Sequence, residues 1–398
     1  MTQTERVSII VLNWNGKHLL SQNIKSVIDQ TYLNFEIIIT DNGSNDGSVK
    51  FIKSLQKKDK KVRLLENKNN IGFASGNNKA IKIALREKKS KYIALVNNDV
   101  KLEKDWLKNI TNGFNKDNIG ICTSKILLYY PYQEIILLPS TNTILRSISI
   151  NNIQYHCLEF RNSFEEKRNL LKLPKKLKAR EVYNFAIPYK LNTKNPIGNL
   201  NIEFTGERIK IFTGSIRKEI IESGITKIPL KGTFMIQNAG TDFNKKKMTF
   251  EDRHIFEFDR ALQSEIVDAG CGAAMVIRAD LLNQYKSFKD KYFMYYEDCE
   301  LGFRFQRNGF LTRFINEAVC YHTFWGSSKE SITETQTYYG TRNRLWFIRE
   351  YFGLFKFLYY YIRTFGSMIR WGILIPFKKE ARMYFENYLK VIKRVLIN

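Results

Sequence analysis

The sequence predicts a doubly wound α/β fold, a mostly parallel sheet sandwiched by helices, with a β-rich insertion and a helical C-terminal extension. Three observations lead there. Short apolar runs open at Val7 (VSIIVLN), Phe35 (FEIIIT), Val62 (VRLLE) and Tyr92 (YIALVNND), about 30 residues apart, which is room for a strand, a helix and two turns. The segments between them carry helical spacing: Leu19, Leu20, Asn23, Ile24, Val27 and Ile28; then Val49, Ile52 and Leu55; then Ala80, Ile81, Ala84 and Leu85. Strands without polar alternation, separated by amphipathic helices, imply a parallel sheet covered on both faces.

From residue 133 to 232 the texture changes to β-type runs between Pro, Gly and Asn punctuation: residues 153–159, 181–187, 200–204 and 209–212, with helical spacing only near 165–173. The α/β pattern resumes near Phe234 and runs to about Ser328. The remainder reads as helical, with Gly366, Gly372 and Pro376 as interruptions. The boundaries are therefore 1–132, 133–232, 233–330 and 331–398.

Composition excludes several classes. At 43% hydrophobic residues the chain can bury a core, so it is not a disordered protein. Its 64 Lys and Arg against 39 Asp and Glu give a net charge of +25, which suits an anionic partner. Basic residues are spread along the chain without a recognition module, so nucleic acid is not expected. Cys122, Cys157, Cys271, Cys299 and Cys320 include no CxxC pair, which argues against zinc and for a reducing, cytoplasmic setting. The polar start, residues 1–6, carries no secretory leader. Residues 341–398 hold 12 Lys and Arg but 3 Asp and Glu. Arg349, Lys356, Arg363 and Arg370 leave no uncharged run that could span a bilayer. This extension either lies on an anionic membrane surface or packs on the domain with a solvated basic face.

In open α/β sheets, ligands bind beyond the carboxyl ends of the strands, and polar residues gather there. The first strand ends in Leu12-Asn13-Trp14-Asn15-Gly16, lacking the glycines of a dinucleotide fold. The second ends in Asp41-Asn42-Gly43-Ser44-Asn45-Asp46-Gly47-Ser48. Asp41 there either accepts hydrogen bonds from a pyrimidine or ribose, or belongs to a turn and helix cap. A calcium loop fits badly, because Ile52 stands where a bidentate Glu is needed. After the third strand, Asn69-Asn70-Ile71-Gly72-Phe73-Ala74-Ser75-Gly76-Asn77-Asn78 opens a helix, suited to a diphosphate or again to a simple cap. The fourth ends in Asn97-Asn98-Asp99, where one carboxylate suffices for a hard cation if phosphate and water complete its shell. Later, Gly270-Cys271-Gly272 lets backbone approach a substrate. Glu297-Asp298 enter a helix, where the dipole favours an ionised carboxylate, and Asp298 is the better base. Glu300 and Arg304 form a helix-face pair. His322 closes a strand.

The ordered set VSIIVLNWNG, DNGSNDGS, NNIGFASGNN, LVNNDV, GCGAAMVIRAD, YYEDCELGFRFQRNG, His322 and YYGTRNRLWFIREY resembles the inverting family 2 glycosyltransferases of the GT-A fold. It is most similar to the rhamnosyltransferase-like members that build bacterial surface polysaccharides. The likeness covers residues 5–125 and 234–350. It implies a donor-binding half in 1–132 and an acceptor and catalytic half in 233–330. Asn13, Asn15, Asp41, Gly72, Asn77, Asn97 and Asn98 would face a dTDP- or UDP-sugar. Asp99 and His322 would hold Mg²⁺ or Mn²⁺. Asp298 would be the base, with Gly272 and Glu297 on the acceptor side. The implied acceptor is a surface polysaccharide or lipid-linked glycan, met at the inner face of the plasma membrane. Two features depart from the family: the metal triplet holds a single carboxylate, and the insertion is long. They leave a non-catalytic scaffold of a polysaccharide assembly complex as the alternative.

Overall fold

The computed structural model describes residues 5–87, 89–151, 158–160, 168–170, 173–188, 197–213, 216–220, 222–230, 232–323, 332–378 and 380–397. The chain divides into two units. One comprises residues 1–126, 238–253 and 261–398, the other residues 127–237 and 254–260.

In the first unit, β1 (Val7–Asn13), β2 (Phe35–Asp41), β3 (Val62–Glu66) and β4 (Tyr92–Asn97) alternate with α1 (Lys17–Ile28), α2 (Ser48–Lys58) and α3 (Gly72–Arg86). β1 pairs in parallel with both β2 and β4, and β2 in parallel with β3. Val7, Ile9, Ile37 and Ala94 bury one face and Ile10, Ile38, Ile93 and Leu95 the other, so both sides need a helical cover. α1 supplies it with Leu19, Leu20, Asn23, Ile24 and Val27, and α3 with Ala80, Ile81 and Ala84. The expected stripes are therefore present.

The chain continues through β5 (Val100–Leu102), α4 (Trp106–Thr111) and β6 (Ile119–Leu128), then β7 (Thr241–Asn244), β8 (Thr249–Asp252), β9 (Ile266–Val267), β10 (Ala274–Arg278), α5 (Ala279–Tyr285), α6 (Glu297–Gln306) and β11 (Leu311–His322). The main sheet runs β9–β11–β6–β10–β4–β1–β2–β3, with β5 against β11. Parallel pairing belongs to β1–β4, whereas β10 runs antiparallel to β4, with Ala274 opposite Val96. Strand direction leaves no mark on a run buried on both faces, so the sequence did not disclose this reversal.

The second unit is two antiparallel sheets around one core. Ile135, Leu137 and Phe185 come from one sheet, Leu145, Ile150, Leu200 and Ile202 from the other. Ile197–Thr205 alternates buried and accessible residues along its length, as a sheet with one solvated face requires. The runs expected at 200–204 and 209–212 lie on strands, as do residues 183–187 of the run expected at 181–187. Of the helical spacing expected at 165–173, Arg168–Leu170 forms a strand instead, and 165–167, 171 and 172 lie outside the described residues. Residues 153–157 of another expected run also lie outside them.

The C-terminal part of the first unit is α7 (Ile332–Leu374) packed on α8 (Ala381–Ile397). α7 breaks at Gly353 (φ 83°, ψ 177°) and continues through Gly366 and Gly372, two of the expected interruptions. Glycine costs about 1 kcal/mol in a helix but does not end one, whereas a left-handed φ does.

α7 also fixes the segment ahead of α6. Asn343, fully buried, shares its amide donors among the carbonyls of Tyr292 (2.9 Å), Met294 (2.9 Å) and Tyr295 (2.7 Å). Phe293, Tyr295 and Tyr296 are all left-handed (φ 61°, 65° and 73°), a conformation that bulky residues adopt only when held. Arg342 adds hydrogen bonds to the Lys291 and Tyr292 carbonyls and lies over the Trp346 ring. Replacing Asn343 with Ala removes this donor from the Met294 and Tyr295 carbonyls, and we expect a loss of about 1–3 kcal/mol in urea unfolding. An unchanged midpoint would show that the left-handed run holds itself.

Candidate active site

The carboxyl ends of β1, β2 and β4 carry one polar network. Asn13 donates to Asp41 Oδ2 (2.9 Å) and Ser44 Oγ (3.3 Å), while its Oδ1 accepts from Asn98 Nδ2 (2.8 Å). Asp41 Oδ1 accepts the Ser44 N–H at 2.8 Å. Three expected donor-site residues thus meet because their strands are neighbours in register, Asn13 opposite Asp41 and Leu12 opposite Asn97. Gly16 makes room for them: a Cβ there would stand 2.1 Å from Asn98 Nδ2. Asn15, left-handed and exposed, ties the first loop to the second through Asn45 N–H to its Oδ1 (2.9 Å) and its own N–H to Ser44 Oγ (2.9 Å). Asp41 itself is 1% exposed, so Asn15 and Asn45 form the solvent-facing rim. Asp46 takes the turn-and-cap role, accepting the Lys17 and Ser48 N–H groups.

The start of α3 does not offer the free N–H groups expected for a diphosphate. Phe73 and Ala74 both donate to the Phe293 carbonyl (2.6 and 3.2 Å), and Gly72 donates to Asn70 Oδ1 (2.9 Å). Gly72 holds φ +88°, and a Cβ there would come within 2.5 Å of the Phe293 ring. Its glycine therefore serves close packing. Asn77 is buried and bonds its own helix at the Phe73 carbonyl (3.0 Å). A short amide in a first turn looks like a ligand in sequence, but here the carbonyl four residues back satisfies it.

At the end of β4, Asn97 N–H donates to the Ala273 carbonyl (2.9 Å). Asp99 is buried, and His322 Nε2 lies 3.1 Å from its Oδ1. The pairing of β5 with β11 brings them together, His322 lying opposite Val100. Apart from that imidazole nitrogen, Asp99 Oδ1 meets no hydrogen-bond partner, an expensive state for a buried carboxylate oxygen unless a ligand meets it. One oxygen and one imidazole nitrogen converging in this way fit a divalent cation. Among the described residues no group of three His, Cys, Asp or Glu forms a fuller metal cage, so a bound cation would take its remaining ligands from elsewhere.

Asp298 stands on the same edge. Its Oδ2 accepts the Gly272 N–H (2.8 Å) and its Oδ1 the Cys299 N–H (2.8 Å). Gly272 precedes Ala273, whose carbonyl holds Asn97. Two hydrogen bonds and a few peptide units therefore connect Asp298 to the Asp99–His322 corner. A Cβ on Gly272 would lie 3.2 Å from both Asp298 Oδ2 and the Phe73 ring. The expected pair of Glu300 and Arg304 is present at 3.0 Å.

Burial is the largest influence on the Asp298 carboxyl and lifts it above the ordinary carboxylate range; the Gly272 and Cys299 N–H groups pull the other way. Desolvation here opposes the helix dipole that favours its ionised form. Burial, followed by the Asp298 charge, pushes Glu297 well above its usual value, and its Oε2 has no partner. Burial likewise raises the Cys271 and Cys299 thiols, leaving them poor nucleophiles.

One carboxylate at this edge escaped the sequence reading. Asp252, on β8, accepts Asn238 Nδ2 (2.8 Å) and Thr241 Oγ1 (3.0 Å) on its Oδ1. β7 pairs Thr241 with Asp252, and Thr241 also bridges Ala269, three residues before Gly272. Protein crowding is the main cause that raises the Asp252 carboxyl, and the nearby Asp298 charge adds to it. The only sequence signal was a hairpin with an Asp at its end, which is common.

Comparison with known proteins bears on the family and the fold. The model of glycosyl transferase family 2 matches residues 8–174, and that of glycosyltransferase-like family 2 matches residues 236–340. An uncharacterized glycosyltransferase of Haemophilus influenzae is 31% identical over 112 residues, 28% of this chain and 33% of that protein. The Escherichia coli UDP-Glc:alpha-D-GlcNAc-diphosphoundecaprenol beta-1,3-glucosyltransferase WfgD is 37% identical over 93 residues, 23% of this chain and 34% of that protein. The putative teichuronic acid biosynthesis glycosyltransferase TuaG of Bacillus subtilis is 30% identical over 102 residues, 26% and 39%. The chain thus matches between about a third and two fifths of these relatives' length. Among solved structures, GalNAc-T7 with UDP, GalNAc and Mn²⁺ shares the fold at 11% identity, with TM-score 0.51, over 97% of this chain and 55% of that one. A GT-A-type sheet with polar strand ends at its topological switch thus goes together with matches to two glycosyltransferase family 2 models, over residues 8–174 and 236–340.

Proposed function

We propose that the chain transfers a sugar from a nucleoside-diphosphate donor to a hydroxyl of a carbohydrate acceptor, with inversion at the anomeric carbon. The observation that carries this reading is the linkage of Asp298 through Gly272 and Ala273 to Asn97 and the Asp99–His322 pair. Asp298 takes the acceptor hydroxyl proton as the new carbon–oxygen bond forms and the bond to the diphosphate breaks. One displacement inverts the centre, and no protein nucleophile is needed. A Mg²⁺ or Mn²⁺ ion held by Asp99 and His322 would neutralise charge on the departing diphosphate. Asn13, Asn15, Asp41, Asn97 and Asn98 form the donor side; Gly272, Glu297 and Asp252 form the acceptor side. Asp252 Oδ2 accepts a second acceptor hydroxyl and so orients the first.

The donor is a dTDP- or UDP-sugar. Motif resemblance favours dTDP-rhamnose, while the E. coli relative is named for UDP-glucose. The acceptor is a growing surface polysaccharide or a lipid-linked glycan, met in the cytoplasm at the inner face of the plasma membrane. A panel of donors, read by nucleoside-diphosphate release with and without chelator, tests the reading and identifies the sugar. Absence of release with every donor would leave the non-catalytic scaffold.

Asp298→Asn is expected to lower transfer by roughly 10²–10⁴ while donor binding persists. Because the base works deprotonated and burial raises its pKa, wild-type rate should fall with decreasing pH at values above the ordinary aspartate pKa of about 3.9. An acidic limb surviving in the Asn variant would assign it to another group. Asp99→Ala and His322→Ala should each shift the metal titration to higher concentration, by roughly tenfold or more; unaltered titrations would remove both from the ligand set. Asp252→Asn should raise the acceptor KM several-fold and leave the donor KM alone, and a change confined to the donor would overturn its acceptor role.

A further inference from the structure

Beyond the Gly353 break, α7 has two dissimilar faces. Phe357, Tyr360, Thr364 and Met368 are buried, and the first two share a core with Val391 and Val395 of α8. Opposite them, Phe355 (90% exposed), Leu358, Ile362 (66%), Phe365, Ile369 and Ile373 stand in solvent at spacings of three and four residues. That spacing draws one continuous apolar stripe along a helix, about 30 Å long at 1.5 Å per residue. Such a contiguous exposed strip marks an interaction surface, unlike scattered single residues.

Charge identifies the partner. Lys356, Arg363 and Arg370 recur every seven residues, so they line one border of the stripe, and all are exposed. No Asp or Glu occurs from residue 351 to 379. An apolar strip edged by cations alone matches an anionic lipid surface, with the apolar side chains among the acyl chains and the cations at the phosphates. A second copy of this chain would present the same cations and be repelled. Among the described residues no helix is long and apolar enough to cross a membrane, so the helix lies in the plane.

We propose that the exposed stripe of α7, with Lys356, Arg363 and Arg370 at its border, docks the protein on an anionic membrane surface. This deepens the reading above by naming the surface on which the acceptor is met, and rests on it only there. Vesicle binding is measured without donor or acceptor, so the two ideas fail separately.

The test is sedimentation of the full chain with vesicles of phosphatidylcholine, alone or mixed with phosphatidylglycerol. Strong binding is expected on the mixed vesicles and weak binding on phosphatidylcholine. Phe355→Ser combined with Ile362→Ser should weaken binding about tenfold or more. Lys356→Gln, Arg363→Gln and Arg370→Gln together should weaken it by roughly 10²-fold and remove its salt dependence. All these positions are exposed, so circular dichroism and nucleoside-diphosphate release should match wild type. Wild-type protein that ignores the mixed vesicles, or binding untouched by both variants, overturns the proposal. So does a wild-type dimer in light scattering that Phe355→Ser with Ile362→Ser converts to monomer, because a second copy would then cover the stripe.

Discussion

The site depends on the antiparallel seam between β4 and β10. A parallel neighbour would have set its own carboxyl end beside Asn97. The reversed strand instead brings its amino end there, and with it the small residues before Ala274. Gly272 can then turn its N–H toward Asp298 while Ala273 turns its carbonyl toward Asn97. Polar residues from distant stretches of sequence meet at one edge because one strand runs backwards. A parallel sheet alone would have gathered only the ends of β1, β2 and β4.

The same edge shows why a carboxylate is costly there and why it is nevertheless kept. Asp298 loses hydration, and two backbone N–H groups restore part of what is lost. Glu297, next to it and buried, leaves one carboxylate oxygen unpartnered. Such groups cost about 1–3 kcal/mol each when nothing meets them. A fold carries that load only if the surroundings are over-determined. Asn343 and Arg342 supply the rigidity, holding the carbonyls of Tyr292, Met294 and Tyr295 along the left-handed stretch that leads into α6. The strain lies ahead of the acid, and the clamp lies on a helix far along the chain.

How much of this was legible follows from which atoms make each contact. Apolar runs and helical stripes are written in side chains, and they disclosed β1 to β4 and α1 to α3. Residues at strand ends were legible because polar side chains after a buried strand need a reason to be there. The β4–β10 seam was hidden because a strand buried on both faces gives no sign of its direction. The Phe293 carbonyl that caps α3 was hidden because backbone acceptors have no sequence identity. That carbonyl also sets the surroundings of Gly72 and Asn77, whose neighbourhood resembles an anion cradle in sequence and packs against Phe293 in the structure. Asp252 was missed for a different reason. Its partners Asn238 and Thr241 lie 14 and 11 residues away, and no short motif joins them.

On the proposed reading, a metal corner with one carboxylate and one imidazole has a thermodynamic consequence. Two protein ligands would leave a bound divalent cation most of its shell to fill, and the diphosphate of the donor would supply anionic oxygens for it. Cation and donor then complete each other's sites, and linkage makes the effect reciprocal: whatever the donor adds to cation affinity, the cation adds to donor affinity. A second or third carboxylate would have bound the ion tightly without donor and weakened that coupling. The Asp99 oxygen paired with His322 is, in this view, half of a site whose other half arrives with the substrate.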